Sequence, residues 1–135
     1  MKKVIILLFT VMVIASLLNC SADADGDGDE YYVKYEVGSS TIYTGVKLDV
    51  IITDENDNNI AFIINAKTDW EMAIGPVQQG YNADLNVSCG IGSCSTLTIY
   101  TQISVSKNDG PFAMKVVDGS DTERDSAQIN YVIDF

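Results

Sequence analysis

No histidine occurs anywhere in the 135 residues. That absence removes the side chain most used as a general base near neutral pH, and the commonest metal ligand. Ser-His-Asp and Cys-His arrangements are excluded with it. Carboxylate pairs of the glycosidase kind stay formally open, but Asp and Glu here fall mostly in turns and at outward strand positions, as a solvated surface requires. Positive charge is scarce too: Lys and Arg number 8 against 19 Asp and Glu, and Arg124 is the sole arginine. Nucleic acid and anionic lipid headgroups both need positive surface, so neither is expected as a partner. No Gly-rich phosphate loop stands at a strand-to-helix junction. These absences predict a protein that is not an enzyme and uses neither a cofactor nor a metal.

Long apolar runs are missing except at the start. Met1-Lys2-Lys3 precedes an apolar stretch from Val4 to Leu18, followed by Asn19 and Cys20. The stretch is shorter than the ~20 residues that a spanning helix needs. A basic tip, a short apolar run and a cysteine at the cleavage position form a secretory leader of the lipoprotein type, residues 1–19, with Cys20 as the lipidated first residue of the mature chain. Several acyl chains on Cys20 hold stably where one would be reversible, since each buried methylene contributes ~0.8 kcal/mol. Loss of the leader removes Lys2 and Lys3 and moves the net charge from −11 to −13.

Residues 20–30 carry only small and acidic side chains after the cysteine and are expected to form a flexible tether. The run from Asp23 to Asp29 imitates half an EF-hand loop, but Glu30 and Lys34 stand where an apolar residue and a bidentate Glu are required. Asp54-Glu55-Asn56-Asp57-Asn58 reads as a polar hairpin turn. Of the 3 cysteines, Cys20 goes to lipid. Cys89 and Cys94, separated by a Gly-rich segment, read as a local disulfide, the staple of a hairpin, worth under about 3 kcal/mol.

From Tyr31 the apolar residues alternate with period two, the strand signature. Tyr31, Val33, Tyr35 and Val37 share one face; Val46 to Ile52, Ile60 to Ile64 and Trp70 to Ile74 repeat the pattern. Ala83 to Cys89 follows, then Leu97 to Val105 with Thr101 as the one break. Phe112, Met114 and Val116 form a short strand, and Ala127 to Phe135 closes the chain. Turn chemistry separates the runs, notably at Gly75-Pro76, Gly80, Asn108-Asp109-Gly110 and Asp118-Gly119. The expectation is an all-β, immunoglobulin-like antiparallel sandwich of about seven to eight strands over residues 31–135. Trp70 is expected as a core anchor, with Asp69 and Glu71 facing solvent. The outward residues Thr98, Tyr100, Gln102 and Ser104 offer a tyrosine-containing face to a ligand, and Tyr100 and Gln102 are the candidate contacts.

Leu17-Leu18-Asn19-Cys20 resembles the lipobox of signal peptidase II substrates. The acidic stretch after it resembles the surface-export tether of Bacteroidetes lipoproteins. Tyr35-Glu36-Val37, the lone Trp70 with Ile74-Gly75-Pro76, and Ile103-Ser104-Val105 resemble small exported immunoglobulin-like lipoproteins of that group. The same pattern resembles the MmpS-type accessory proteins of mycobacteria, which assist a membrane exporter. Asp125-Ser126-Ala127 is similar to the O-glycosylation acceptor of Bacteroides, with Ser126 as acceptor. These resemblances imply a protein held by its lipid at the outer membrane and displayed on the cell surface, binding a protein or a glycan. The alternative they imply is an accessory subunit on the periplasmic side.

Overall fold

The computed structural model describes residues 28–135 apart from 42, 92–93, 95–96, 120 and the side chain of Ile91; Cys20, the leader and most of the tether lie outside the described residues. Among the described residues eight strands follow one another: β1 Tyr31–Ser39, β2 Lys47–Thr53, β3 Asn59–Asn65, β4 Trp70–Val77, β5 Asn82–Ile91, β6 Ile99–Lys107, β7 Ala113–Asp118 and β8 Ser126–Val132. They form two four-stranded antiparallel sheets, ordered β4-β1-β6-β7 and β3-β2-β5-β8. The fold is therefore the antiparallel sandwich that the alternation predicts. Two links stay within a sheet, the β2–β3 and β6–β7 hairpins. Every other link crosses between the layers.

The inward faces meet in a single core. Tyr31, Val33, Tyr35 and Val37 from β1 lie against Leu48, Val50 and Ile52 from β2, Ala83, Leu85 and Val87 from β5, and Ile99, Ile103 and Val105 from β6. Thr101 also points inward and is fully buried. The break in the alternation is thus chemical and not geometric. Two buried phenols close one end of the core. The Tyr35 hydroxyl donates to the Thr53 carbonyl at 3.0 Å, and the Tyr81 hydroxyl donates to the same carbonyl at 2.8 Å.

The turns follow their residue types. In the β2–β3 turn, the Asp54 carboxylate accepts the Asn56 and Asn58 backbone N–H groups at 2.9 and 2.8 Å. Those bonds, led by Asn58, hold its pKa below the ordinary carboxylate value. This carboxylate closes its own turn. In the β6–β7 turn, Asn108 and Asp109 take left-handed φ values of 48° and 59°, as asparagine and aspartate tolerate.

Five expectations need correction. Gly75-Pro76 does not end a strand: it lies inside β4, with a cis bond. Phe112 and Met114 do not share the inward face of Val116. The β6–β7 register shifts between Ile103 and Ser104, Lys115 is the extra residue, and the parity of the strand reverses there. Phe112 and Met114 consequently face solvent. The Cys89–Cys94 bond is formed, but it does not staple a hairpin. β5 and β6 belong to different sheets, so the bridge sits on a crossover between layers. β8 pairing stops at Val132, beyond which Ile133 is buried and Phe135 is partly exposed. Finally, the last tether residues are docked. Asp29 meets Lys107 at 2.6 Å, while Glu30 donates its backbone N–H to Asn108 Oδ1 and its carbonyl accepts the Asn108 backbone N–H.

Candidate functional site

The outward face of the β4-β1-β6-β7 sheet carries the only two ligand contacts read from the sequence, and it adds others to them. Gly38 of β1 lies opposite Tyr100 of β6, Glu36 opposite Gln102, and Lys34 opposite Ser104. On the other side of β1, Glu36 lies opposite Glu71 of β4. Two carboxylates directly across a strand pair repel. Lys34 relieves this, its Nζ standing 3.1 Å from Glu36 and 3.9 Å from Glu71. Gln102 donates through Nε2 to Glu36 at 2.7 Å and to Ser104 Oγ at 2.9 Å, and its Oε1 accepts the Tyr100 hydroxyl. A continuous polar chain from Ser104 through Gln102 therefore fixes the Tyr100 ring.

Beside that ring, Gly38 supplies no side chain. A Cβ at this position would meet Asp69 Oδ1 at 3.0 Å and the Tyr100 ring at 3.9 Å. The missing side chain leaves an open cleft of about 440 Å³, floored by Val37 and Gly38 and walled by Glu36, Asp69, Trp70, Glu71 and Tyr100. Trp70 is only half-buried. Its ring packs on Phe62 of the opposite sheet, with centroids 5.4 Å apart, in register with the buried Val37, and the residue also borders the cleft. The core-anchor expectation for Trp70 is thus only partly met, because β4 begins at this residue on the rim of the sandwich. Asp69 and Glu71 are exposed as expected.

Toward β7 the same face turns apolar. Phe112, Met114 and Val117 are exposed, and Lys34 Nζ stands 5.6 Å from the Phe112 ring centroid. Ser104, expected on the outward face beside those contacts, is nearly fully covered by its neighbours. A second cleft lies between the β2–β3 and β4–β5 turns, lined by Glu55, Asp57, Gln78 and Asn82 among others. Its one aromatic, Tyr81, turns its hydroxyl away to the Thr53 and Asp54 carbonyls.

The remaining sequence-derived residues are not brought to the cleft face. Cys89 lies on β5 in the opposite sheet, bonded to Cys94 on the crossover. Ser126 opens β8, is exposed, and faces Ser88 in register. Among the described residues, no three or more Cys, Asp or Glu side chains are grouped to hold a metal ion. The sequence reading missed Glu36, Gly38 and Asp69 as cleft residues. Gly38 was the available signal: a glycine inside a strand marks a place where something approaches closely. No family model and no curated protein matches the chain.

Proposed function

We propose that this protein is a non-catalytic, lipid-anchored module of the cell envelope that displays its sandwich outward. Its cleft takes a ligand rich in hydrogen-bond donors, hydroxyl or cationic. The observation that carries this reading is the cleft itself. The Tyr100 ring and three carboxylates border a floor that a glycine keeps empty, with Trp70 at its edge. Carboxylates accept hydrogen bonds and favour positive charge, while aromatic faces hold the apolar side of a sugar or the stem of a basic side chain. The leader-and-cysteine pattern supports lipid attachment at Cys20, and the acidic tether supports projection from the membrane. The ligand is a protein or a glycan.

Protease shaving of intact cells is the first test. Loss of the domain from live cells is the expected result. Protection would instead support an accessory role on the periplasmic side. A glycan array and a pull-down from intact cells then test the cleft, with Gly38→Leu, which fills it, expected to abolish capture. Capture unchanged by Gly38→Leu would remove the cleft from the account.

A further inference from the structure

The four sheet edges are protected unequally. β4 carries Glu71, Pro76 and a register shift against β1. β7 carries Lys115, Asp118 and a bulge, and β8 leans on β6 and β7. Charge, proline, bulging and cover are the usual guards of an edge. β3, Asn59-Ile60-Ala61-Phe62-Ile63-Ile64-Asn65, has none of them: no charge, no proline and an unbroken register with β2. Its only strand partner among the described residues is β2. Ile63 on its outer face is 70% exposed.

The phase of the ladder shows which backbone groups are free. Hydrogen bonds from Ala66 N–H to the Val46 carbonyl (3.1 Å) and from Asp54 N–H to the Asn58 carbonyl (2.8 Å) bracket the β2–β3 pair. Hydrogen-bonded pairs alternate in an antiparallel ladder, so the even-numbered residues of β3 bond to β2. Ala61 and Ile63 therefore turn N–H and C=O outward, flanked by Asn59 and Asn65. The Asn65 carbonyl is already taken by Thr68 N–H at 3.1 Å.

We infer that β3 pairs with β3 of a second copy of this chain, antiparallel about a two-fold axis through Phe62. In that register Ala61 faces Ile63 of the partner copy and exchanges backbone bonds with it. Ile60 faces Ile64, and Asn59 faces Asn65. Continued outward, the same register directs the exposed Asp57 toward the exposed Lys67 of the other copy, at both ends. Neither residue forms an ion pair within its own chain among the described residues. This charge complementarity selects the antiparallel copy as occupant, since a parallel alignment would set like charge beside like. The two β3-β2-β5-β8 sheets become one continuous sheet, and two clefts are presented together, which favours multivalent capture.

Sedimentation velocity of the full chain in density-matched detergent, at about 0.15 M salt, where net repulsion is screened beyond roughly 8 Å, tests this directly. A particle of two chains is expected. Ile63→Lys, at an exposed position, is expected to give monomers with an unchanged circular dichroism spectrum. Asp57→Lys or Lys67→Asp alone places like charges together twice and is expected to weaken association about tenfold. The double variant is expected to restore it. A monomeric unmodified chain, a dimer indifferent to Ile63→Lys, a double variant no better than the single ones, or an open-ended ladder would each overturn the inference.

Discussion

Thr101 is the residue at which chemistry and position disagree most. Its side chain is fully buried on the inward face of β6, and its hydroxyl has no hydrogen-bond partner among the described residues. A buried hydroxyl without a partner costs about 1–3 kcal/mol. Thr101→Val keeps the shape and removes that cost, so chemical denaturation should show the variant to be about 1 kcal/mol more stable. A loss of stability would mean that the hydroxyl has a partner after all. Tyr35 and Tyr81 show the opposite arrangement, in which burial is matched by donation to Thr53. Burial pushes both phenols above the ordinary tyrosine value of 10.0. A folded-state pKa raised in this way contributes stability that is whole below the unfolded value and is lost as pH rises past it toward the folded one. Denaturant midpoints should therefore hold to about pH 9 and fall above pH 10, and Tyr35→Phe should flatten that fall. A midpoint that does not change between pH 9 and 11 would contradict the pairing.

At the scale of the elements, β4 shows how closely strands can be forced together. Gly75 has φ of 134° and lies so near β1 that a Cβ would stand 2.8 Å from the Tyr31 carbonyl oxygen and 3.1 Å from Tyr32 Cα. Both neighbours are backbone and cannot move aside as a side-chain tip can. Gly75→Ala should thus cost about 1–3 kcal/mol, read as a lower thermal midpoint. Gly80→Ala gives the contrast, because its φ of 88° brings strain but nothing lies within 4 Å. The smaller loss should be at Gly80, and the reverse order would show that close approach does not govern β4. The alternation of apolar residues made β1, β2, β5 and β6 legible in the sequence, because one face of each is buried throughout. β7 was not legible in the same way. A single bulge at Lys115 reverses its parity, and no residue in Ala113–Asp118 announces it.

For the whole molecule, the last three residues tie both layers. Ile133 is buried, and its backbone bonds to Gly80 and Tyr81 at 2.8 and 3.0 Å. The Phe135 carbonyl accepts the Tyr31 hydroxyl, its ring meets Tyr31 with centroids 5.5 Å apart, and Lys115 Nζ lies 3.7 Å from the ring centroid. Deleting Ile133–Phe135 should cost at least the roughly 2–5 kcal/mol of a buried aliphatic, a large part of the stability of a domain this size. Thermal melting should show a midpoint lower by more than about 10 °C or no transition. A wild-type melt would show that β8 ends the fold at Val132.

Composition, charge and the period-two pattern were enough to specify an acidic all-β body. Burial acts on each strand separately, and its imprint is therefore local in the chain. The sequence also offered Tyr100, Gln102 and the cysteine pair, since an outward aromatic and two nearby thiols are local features. Only the tertiary structure decided that Glu36, Gly38, Asp69 and Trp70 join Tyr100 around one cleft. These residues come from β1, β4, β6 and the turn before β4, and cross-strand register, which depends on long-range pairing, alone brings them together. The same pairing decided that β3 is left at an edge, because the sequence states which residues can form a strand but not which strand has no neighbour.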